Sequence, residues 1–180
     1  ALRQRLVSEA LTKYNLRGPS WQRPASVSRV VLVVGQVETD ASIRFGAPGL
    51  KSNMALLKAV RRAEPDAFLV YKPHPDVVAG LCRSGVGEQQ ADVFCDQVIT
   101  EGSISALFAQ VDALHVLTSL AGFEALLRRV EVHCWGLPFY AGWGLTQDRH
   151  HCSRRGRALS LDGLVHGALI DYPRYVSRHS

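Results

Sequence analysis

A lysine and a histidine bracketed by prolines stand where a short apolar segment ends. The sequence from Phe68 to Pro75 reads Phe-Leu-Val-Tyr-Lys-Pro-His-Pro. Each proline fixes its own φ and favours extended backbone in the residue before it, so Lys72 and His74 are held on a stiff segment. A cation and an imidazole at a strand exit are suited to bind a ligand in an open α/β sheet. The alternative is that His74 only caps a neighbouring helix.

Two carboxylates follow another apolar segment, 29–34. Gly35 ends that segment, and Glu38 and Asp40 lie in the polar loop that comes next. At the carboxyl end of a strand, such a carboxylate is placed to act as a nucleophile or as a base. A solvated connecting loop is the other interpretation, and position alone does not separate the two.

Two hydroxyl side chains separate a third apolar segment, 113–117, from a predicted helix at 120–128. Thr118 and Ser119, together with the free N–H groups of a helix start, form a natural phosphate site. Ser and Thr are also the ordinary N-caps of any helix. Glu124, one turn further on, either faces the same cleft and holds a ribose hydroxyl or is solvated.

The elements that must position these residues alternate between strand and helix patterns. Strands are predicted at 29–34, 67–71, 113–117 and 130–135, with a weak one at 91–95, and helices at 1–15, 50–62, 77–82, 104–110, 120–128 and from Ser160 onwards. This alternation predicts an α/β fold with a doubly wound, mostly parallel sheet. The sequence contains neither a Gly-x-Gly-x-x-Gly motif nor a Walker loop, which disfavours dinucleotide and P-loop proteins.

Length and composition limit the class of protein. A chain of 180 residues with 47% hydrophobic residues fits one domain with a real core. The net charge of +5 favours anionic ligands, but the aromatics are not interleaved with basic residues, so nucleic acid is not expected as a partner. Four scattered cysteines predict neither a zinc site nor a disulfide framework. Because the chain begins at Ala1 and its only methionine is Met54, we expect a piece of a longer protein.

Two late segments add to the candidate ligand edge. The loop at 136–145 is rich in glycine and aromatics, which suits either a pocket wall or a packed surface loop. The run at 149–157 is strongly basic. Such runs are usually solvated, and this one is also compatible with an anionic membrane surface or a sugar acid.

Four segments, in order and with matched spacing, carry a family resemblance over nearly the whole chain. They are GQVETDASI at 35–43, YKPHPD at 71–76, TSLAGFEALL at 118–127 and PFYAGWGLT at 138–146. Together they resemble the capsule polysaccharide export proteins of the KpsC type, which are β-Kdo glycosyltransferases of Gram-negative bacteria.

This resemblance implies a Rossmann-like fold that forms the C-terminal half of a two-Rossmann (GT-B-like) glycosyltransferase module. Residues 1–28 would be the crossover helix and connector, and residues 29–180 the nucleotide-sugar donor-binding domain. The implied activity is transfer of Kdo from CMP-Kdo, building the Kdo linker on a lyso-phosphatidylglycerol anchor for capsule biosynthesis and export.

The resemblance also implies roles for residues within the matching motifs. His74 would bind the donor phosphate or assist the departure of CMP, and Thr118 and Ser119 would cradle the same phosphate. Lys72 would neutralise the phosphate or the Kdo carboxylate.

Asp40 is the expected catalytic carboxylate, with Glu38 as the fallback. CMP-β-Kdo giving a β-Kdo product means retention at the anomeric carbon, and two displacements through a covalent carboxylate adduct give retention. We expect no metal and no cofactor, and the base that activates the acceptor is not assigned.

The implied partners are CMP-Kdo, a lipid-linked acceptor, the missing N-terminal half of the same module and the capsule export machinery. The implied location is cytoplasmic, peripheral at the inner membrane. We expect the isolated chain to be inactive as a transferase. The alternatives are a non-catalytic nucleotide-sugar-binding or scaffold module and, less favoured, an epimerase or hydrolase of similar fold.

Overall fold

Strands and helices alternate along the chain in a computed structural model, which describes residues 2–15 and 18–176. The helices are α1 (Leu2–Ser8), α2 (Ala41–Gly46), α3 (Asn53–Ala63), α4 (Pro75–Val78), α5 (Ile104–Phe108), α6 (Ala121–Leu127) and α7 (Leu161–His166), with a 3-10 helix at Glu88–Val93 and a π-helix at Gly167–Asp171. The strands are β1 (Val30–Val34), β2 (Phe68–Lys72), β3 (Gln97–Val98), β4 (Ala113–Val116), β5 (Glu131–Cys134) and β6 (Gln147–Asp148).

The six strands form one sheet in the order β3-β2-β1-β4-β5-β6, and every neighbouring pair is parallel. This confirms the predicted doubly wound, parallel α/β sheet. The strand order reverses between β1 and β4, and ligands of open α/β sheets bind outside the carboxyl ends of the strands at such a point. The predicted strand exits at Gly35, Lys72 and Thr118 therefore meet at one edge.

Strand β1 is the centre of the core, because all five of its residues are buried. Val30, Leu32 and Val34 face one apolar cluster with α5, α6 and α7, whereas Val31 and Val33 face a second cluster with α3. Burying one such side chain contributes roughly 1.5–3 kcal/mol. The two-sided burial explains why β1 reads as a continuous apolar run.

The N-terminal helix is shorter than predicted. Its amphipathic spacing continues to Tyr14, but α1 ends at Ser8, and Ala10 and Asn15 adopt positive φ values of 50° and 48°. Left-handed backbone at these two positions is incompatible with a continuous helix. Residues 9–15 instead fold back over the sheet edge. Residues 1, 16, 17 and 177–180 of the predicted domains lie outside the described residues.

The weak strand predicted at 91–95 is wrong. This segment comprises the end of the 3-10 helix and the turn after it. The N-cap of this helix is Gly87, with φ 79°, and Ala91 and Cys95 are buried at helical spacing. The edge strand β3 forms two residues later, at Gln97–Val98, where Val70 and Tyr71 supply its partners.

Three smaller differences concern element boundaries. The polar loop after β1 contains a short helix, α2, and the helix predicted at 77–82 occupies only Pro75–Val78. Strand β6 had no sequence signal. Ser103 and Ser160 are the N-caps of α5 and α7, since each side chain accepts a backbone N–H of the helix that follows it. Within 2–15 and 18–176, no helix has the length and hydrophobicity needed to cross a membrane.

Candidate functional site

A cavity of about 310 Å³ lies at the carboxyl ends of β1, β2 and β4. Six of the seven residues predicted as a site line it, and the seventh, Glu38, does not: the six are Asp40, Lys72, His74, Thr118, Ser119 and Glu124. Strand exits far apart in sequence thus deliver a carboxylate, a cation, an imidazole and two hydroxyls to one space.

His74 both caps a helix and faces the cavity. Its Nδ1 accepts the backbone N–H of Asp76 at 3.2 Å, at the start of α4, and its Nε2 lies 3.1 Å from Oη of Tyr14. Because Nδ1 is an acceptor, the neutral ring carries its proton on Nε2. Burial lowers the pKa of His74, which favours this neutral form. His74 therefore offers one N–H donor to the cavity.

Lys72 lies at the base of the cavity and is only 5% exposed. Its Nζ donates to the main-chain oxygen of Glu101 at 2.9 Å. Burial lowers the pKa of Lys72, since an ammonium group loses solvation inside a protein. A bound anion would restore part of that lost solvation.

Asp40 is the N-cap of α2 and is exposed at the cavity wall. Its Oδ1 accepts the backbone N–H of Ser42 at 2.8 Å. This hydrogen bond is the main reason why the pKa of Asp40 is lowered, with smaller contributions from the Ser42 side chain and the positive charge of Lys13. Asp40 is consequently an ionised carboxylate held in a fixed orientation.

Thr118 is oriented by the side chain of Gln36. Oε1 of Gln36 accepts the Thr118 backbone N–H at 2.8 Å, and Nε2 of Gln36 donates to Oγ1 of Thr118 at 3.1 Å. Oγ1 of Thr118 also donates to the Ser42 hydroxyl at 3.2 Å, which links the exits of β1 and β4. Oγ of Ser119 accepts the backbone N–H of Ala121 and so also takes part in capping.

Gln36 is itself fixed by a buried amide that the sequence did not single out. Asn53, at the start of α3, accepts the Gln36 backbone N–H and donates to the Gln36 carbonyl, both at 2.9 Å. Nδ2 of Asn53 also approaches Glu88, which accepts a 2.5 Å hydrogen bond from the Tyr71 hydroxyl. A satisfied buried network of this kind rigidifies the site above it.

Gly35 permits the close packing of the two strand exits. A Cβ atom at this position would lie 2.5 Å from Oη of Tyr71 and 3.3 Å from the backbone of Pro73 and His74. Any larger residue would therefore push the Lys-Pro-His-Pro segment away from the loop that carries Asp40.

Glu124 is not solvated, in contrast to one of the two sequence interpretations. It is 7% exposed, and its Oε1 accepts the backbone N–H of Lys13 at 2.7 Å. Burial raises the pKa of Glu124, and the Lys13 N–H partly offsets this effect. The carboxylate faces the cavity, but this oxygen is already occupied by the protein's own main chain.

The side chain of Glu38 contacts the protein's own backbone outside the cavity. Its Oε1 accepts the backbone N–H of Asn53 at 2.7 Å, and its carboxylate packs against Gly85, where a Cβ would meet it at 2.2 Å. Of the two carboxylates predicted from the loop, only Asp40 reaches the cavity.

The aromatic loop at 136–145 contributes to the wall, as one of its two interpretations predicted. Phe139 lines the cavity and is 45% exposed, whereas Tyr140 is fully buried and donates its hydroxyl to the Ser119 carbonyl. Tyr140 thereby anchors the loop to the start of α6.

The basic run forms a separate hollow. Arg149, His150, His151 and Arg155 line a space of about 430 Å³. The guanidinium of Arg155 donates to the carbonyl oxygens of Pro138 and Ala141, so this part of the run is bonded to the aromatic loop.

One further polar cluster has ligand types suited to a metal ion. Potential ligand atoms of Glu64, His115 and His133 lie within 4.8 Å of one another. However, Nδ1 of His115 accepts the Trp135 indole N–H at 3.1 Å, so the neutral ring keeps its proton on Nε2, the nitrogen that faces Glu64. A metal-ligating imidazole instead donates its second N–H outwards. The cluster therefore fits a metal poorly.

A family model described as "Capsule polysaccharide biosynthesis protein" matches residues 4–175. Among characterised sequences, the chain is 45% identical over 175 residues to "Capsule polysaccharide modification protein LipA" of Neisseria meningitidis serogroup B, covering 97% of this chain and 25% of that protein. It is 42% identical over 167 residues to "Lipopolysaccharide-processing protein LpsZ" of Rhizobium meliloti, covering 92% of this chain and 38% of the relative.

Two solved structures share the fold. "Thermosulfurimonas dismutans KpsC, beta Kdo 2,7 transferase" superposes with a TM-score of 0.78 at 45% identity, covering 98% of this chain and 55% of that one. "Thermosulfurimonas dismutans KpsC, beta Kdo 2,4 transferase" gives a TM-score of 0.80 at 30% identity, covering 90% and 51%. The chain thus spans about a quarter of LipA and about half of each solved structure.

Proposed function

The chain belongs to the capsule polysaccharide biosynthesis protein family, and we propose that it is the donor-binding half of a retaining β-Kdo transferase that uses CMP-Kdo. The observation that carries this proposal is the convergence of Asp40, Lys72, His74 and Thr118 in one cavity at the strand-order reversal. Phosphate oxygens attract cations and N–H or O–H donors, and all three are present here.

The cavity suits a nucleotide sugar in size as well as chemistry. Its volume of about 310 Å³ lies at the lower end of the usual range for ligand pockets, roughly 300–1,000 Å³. Phe139 is 45% exposed and offers an apolar surface, whereas Asp40, Thr118 and Ser119 contribute polar groups to the cavity. A donor half that needs a second half to complete its pocket would have such an open, small cavity.

The proposed chemistry is a double displacement at the anomeric carbon. The Asp40 carboxylate attacks that carbon, the bond to the phosphate oxygen of CMP breaks, and its electron pair leaves with CMP. An acceptor hydroxyl then attacks the glycosyl ester from the opposite face, losing its proton to a base and releasing the Asp40 carboxylate. Two inversions give net retention.

Lys72 and His74 would stabilise the negative charge on the departing CMP. The buried ammonium of Lys72 stabilises negative charge that develops on the phosphate, and His74 supports this charge as a hydrogen-bond donor through Nε2–H, which bonds to the Tyr14 hydroxyl in the same cavity. Because the ring is neutral and its proton position is set by Asp76, His74 needs no change of protonation to act as a donor.

Sequence identity favours 2,7 over 2,4 linkage. The two Thermosulfurimonas structures superpose equally well, with TM-scores of 0.78 and 0.80, but their identities to this chain are 45% and 30%. We therefore assign the chain to the 2,7-transferring type, acting on the growing Kdo linker of a lyso-phosphatidylglycerol-anchored acceptor.

The remaining partners follow from the same proposal. An N-terminal half of the module would bring the acceptor, and the isolated chain would bind donor without transferring it. The capsule export machinery would receive the product, and the basic run at 149–157 would favour a peripheral position at the cytoplasmic face of the inner membrane.

Thermal unfolding with CMP tests the proposal. CMP at about 100 times its Kd is expected to stabilise the chain by about 2.7 kcal/mol, which raises the Tm by roughly 5–10 °C. His74→Asn should abolish most of this rise, because the Asn oxygen can still cap α4 while the Nε2 donor is lost.

The matched control is His151→Asn, an exposed histidine outside the cavity, which should respond to CMP like the wild-type chain. A wild-type chain whose Tm is unchanged at millimolar CMP would contradict nucleotide binding. A His74→Asn variant with a full CMP response would remove His74 from the donor site.

A further inference from the structure

The N-terminal segment 11–15 crosses the mouth of the cavity. Thr12, Lys13 and Tyr14 line the cavity although they are more than 100 residues from α6. The fold of the sheet does not require this route, since β1 begins only at Val30. The contacts that hold the segment there are specific polar ones.

A carboxylate of α6 and the guanidinium of Arg128, the C-cap residue of α6, clamp this segment. Glu124 accepts the Lys13 backbone N–H at 2.7 Å. Arg128 donates to the Glu124 carbonyl at 3.0 Å and to the Leu11 carbonyl at 3.1 Å. Burying an ionisable group such as Glu124 is costly unless it is hydrogen-bonded. A carboxylate that is 7% exposed and bonded to one main-chain N–H is therefore a strong constraint on the position of Lys13.

The clamp presents the Tyr14 hydroxyl to the cavity beside His74. The two rings meet edge to face with centroids 5.6 Å apart, and Oη lies 3.1 Å from Nε2. Because Nε2 carries the proton, Oη accepts it and keeps its own hydrogen available. The Tyr14 hydroxyl can thus accept a hydrogen bond from His74 and donate its own hydrogen to a ligand oxygen.

The same clamp fixes Lys13, the second lysine that lines the cavity among the described residues. The ionisable lining consists of Lys13 and Lys72 against Asp40 and Glu124, with His74 neutral. A nucleotide sugar acid brings two negative groups, a phosphodiester and a carboxylate. Lys72 alone cannot balance them beside two protein carboxylates. Lys13, whose charge already acts on Asp40, supplies the second cation.

We propose that Lys13 and Tyr14 contact the donor, giving a cation and an O–H donor to its anionic groups, and that Glu124 is the positioning residue that holds both in place. This inference rests on the proposed nucleotide function. It also replaces the expected contact of Glu124 with a ribose hydroxyl.

Calorimetric titration of the chain with CMP and with cytidine, which lacks the phosphate, tests the inference. Lys13→Ala and Tyr14→Phe should each weaken CMP binding by roughly tenfold, the usual effect of losing a hydrogen bond to a charged group. Cytidine binding should stay unchanged. Lys58→Ala and Tyr172→Phe, at exposed positions outside the cavity, are the matched controls and should bind CMP normally.

Substitutions of Glu124 distinguish a positioning role in donor binding from a general contribution to the stability of the fold. Glu124→Gln keeps an oxygen that can accept the Lys13 N–H, so we expect CMP affinity within about twofold of wild type. Glu124→Ala should reproduce the tenfold loss for CMP and spare cytidine. A variant that merely destabilises the fold would weaken both ligands equally.

The outcomes distinguish this inference from the proposed function. A wild-type chain that binds no CMP contradicts nucleotide binding itself, and the inference fails with it. A wild-type chain that binds CMP, together with Lys13 and Tyr14 variants that bind it equally well, leaves the proposed function intact and overturns only the inference. Equal losses for CMP and cytidine also overturn it, because the two side chains would then not contact the anionic groups.

Discussion

Two histidines of this chain share the same local chemistry and differ in everything around them. His74 and His115 each accept an N–H at Nδ1, from the Asp76 backbone and from the Trp135 indole, so each neutral ring carries its proton on Nε2. Nε2 of His74 faces a cavity and the Tyr14 hydroxyl. Nε2 of His115 is buried and has no hydrogen-bond partner among the described residues.

The surroundings of His115 suit a packed interior. It is fully buried, stacks on His133 with ring centroids 4.2 Å apart, and burial lowers its pKa to about 3. The comparison teaches that a fixed tautomer by itself does not make a functional histidine. The surroundings of Nε2 set the two residues apart, because His74 lines a cavity together with a carboxylate and a cation, whereas Nε2 of His115 is buried. We therefore expect changes at the cavity to alter function and changes at the His115 cluster to alter stability.

The largest effect is expected for Asp40→Asn. Asparagine caps helices about as well as aspartate, so the Tm should change by no more than about 1–2 °C. Loss of the nucleophile should lower transfer in a complete module by about 10³-fold or more. Activity is measured as Kdo transfer from CMP-Kdo, and full activity of the variant would remove Asp40 from the mechanism.

A second, smaller functional effect is expected for Gln36→Leu. Leucine removes both hydrogen bonds to Thr118 and leaves the Thr118 backbone N–H without its partner. We expect a loss of about 1–3 kcal/mol in the free energy of unfolding and a weakening of CMP binding by roughly tenfold. Denaturant titration and calorimetry measure the two quantities, and unchanged CMP affinity would show that Thr118 does not need this support.

His115→Asn should alter the pH dependence of stability and leave CMP binding intact. An unfolded histidine takes up a proton near pH 6.5, whereas folded His115 does so only near pH 3. Between these values the unfolded chain holds one more proton than the folded chain. The contribution of His115 to the free energy of unfolding is therefore fully present above about pH 6.5 and is lost as the pH falls towards 3.

Asparagine removes this titration while its oxygen can still accept the Trp135 N–H. The slope of unfolding free energy against pH should decrease by up to about 1.4 kcal/mol per pH unit between pH 4 and 6. His151→Asn, at an exposed position, is the control and should keep the wild-type slope. An unchanged slope in His115→Asn would mean that His115 titrates normally.

The smallest effect is expected for Glu38→Gln. The amide oxygen can still accept the Asn53 N–H, so we expect transfer activity within about twofold of wild type. Glu38 lies in the same loop as Asp40, and this variant is therefore the matched control for Asp40→Asn. A loss as large as that of Asp40→Asn would exchange the roles of the two carboxylates.

Local patterns were enough to predict much of the sheet and six of the residues that line the cavity. The prolines around Lys72 and His74 and the apolar runs before each loop act within a few residues, and they located three strand exits. The contacts that complete the site are not local. Gln36 is hydrogen-bonded to Thr118, 82 residues away in the sequence, and Lys13 is hydrogen-bonded to Glu124, 111 residues away.

The N-terminal segment shows why such contacts escape a sequence pattern. The helical spacing of its apolar residues reaches Tyr14, which predicted one continuous helix. The left-handed backbone at Ala10 instead turns Tyr14 towards His74, and only tertiary packing makes that turn favourable. The position of Glu38 could not be predicted from local patterns either, since its partner Asn53 lies 15 residues further on, at the start of α3.

Mass spectrometry after incubation with CMP-Kdo tests the central claim most directly. A retaining mechanism through Asp40 predicts a Kdo adduct on the proteolytic peptide that contains Asp40, and no adduct in the Asp40→Asn variant. An adduct on another carboxylate, or consumption of CMP-Kdo with no adduct on the chain, would contradict the account.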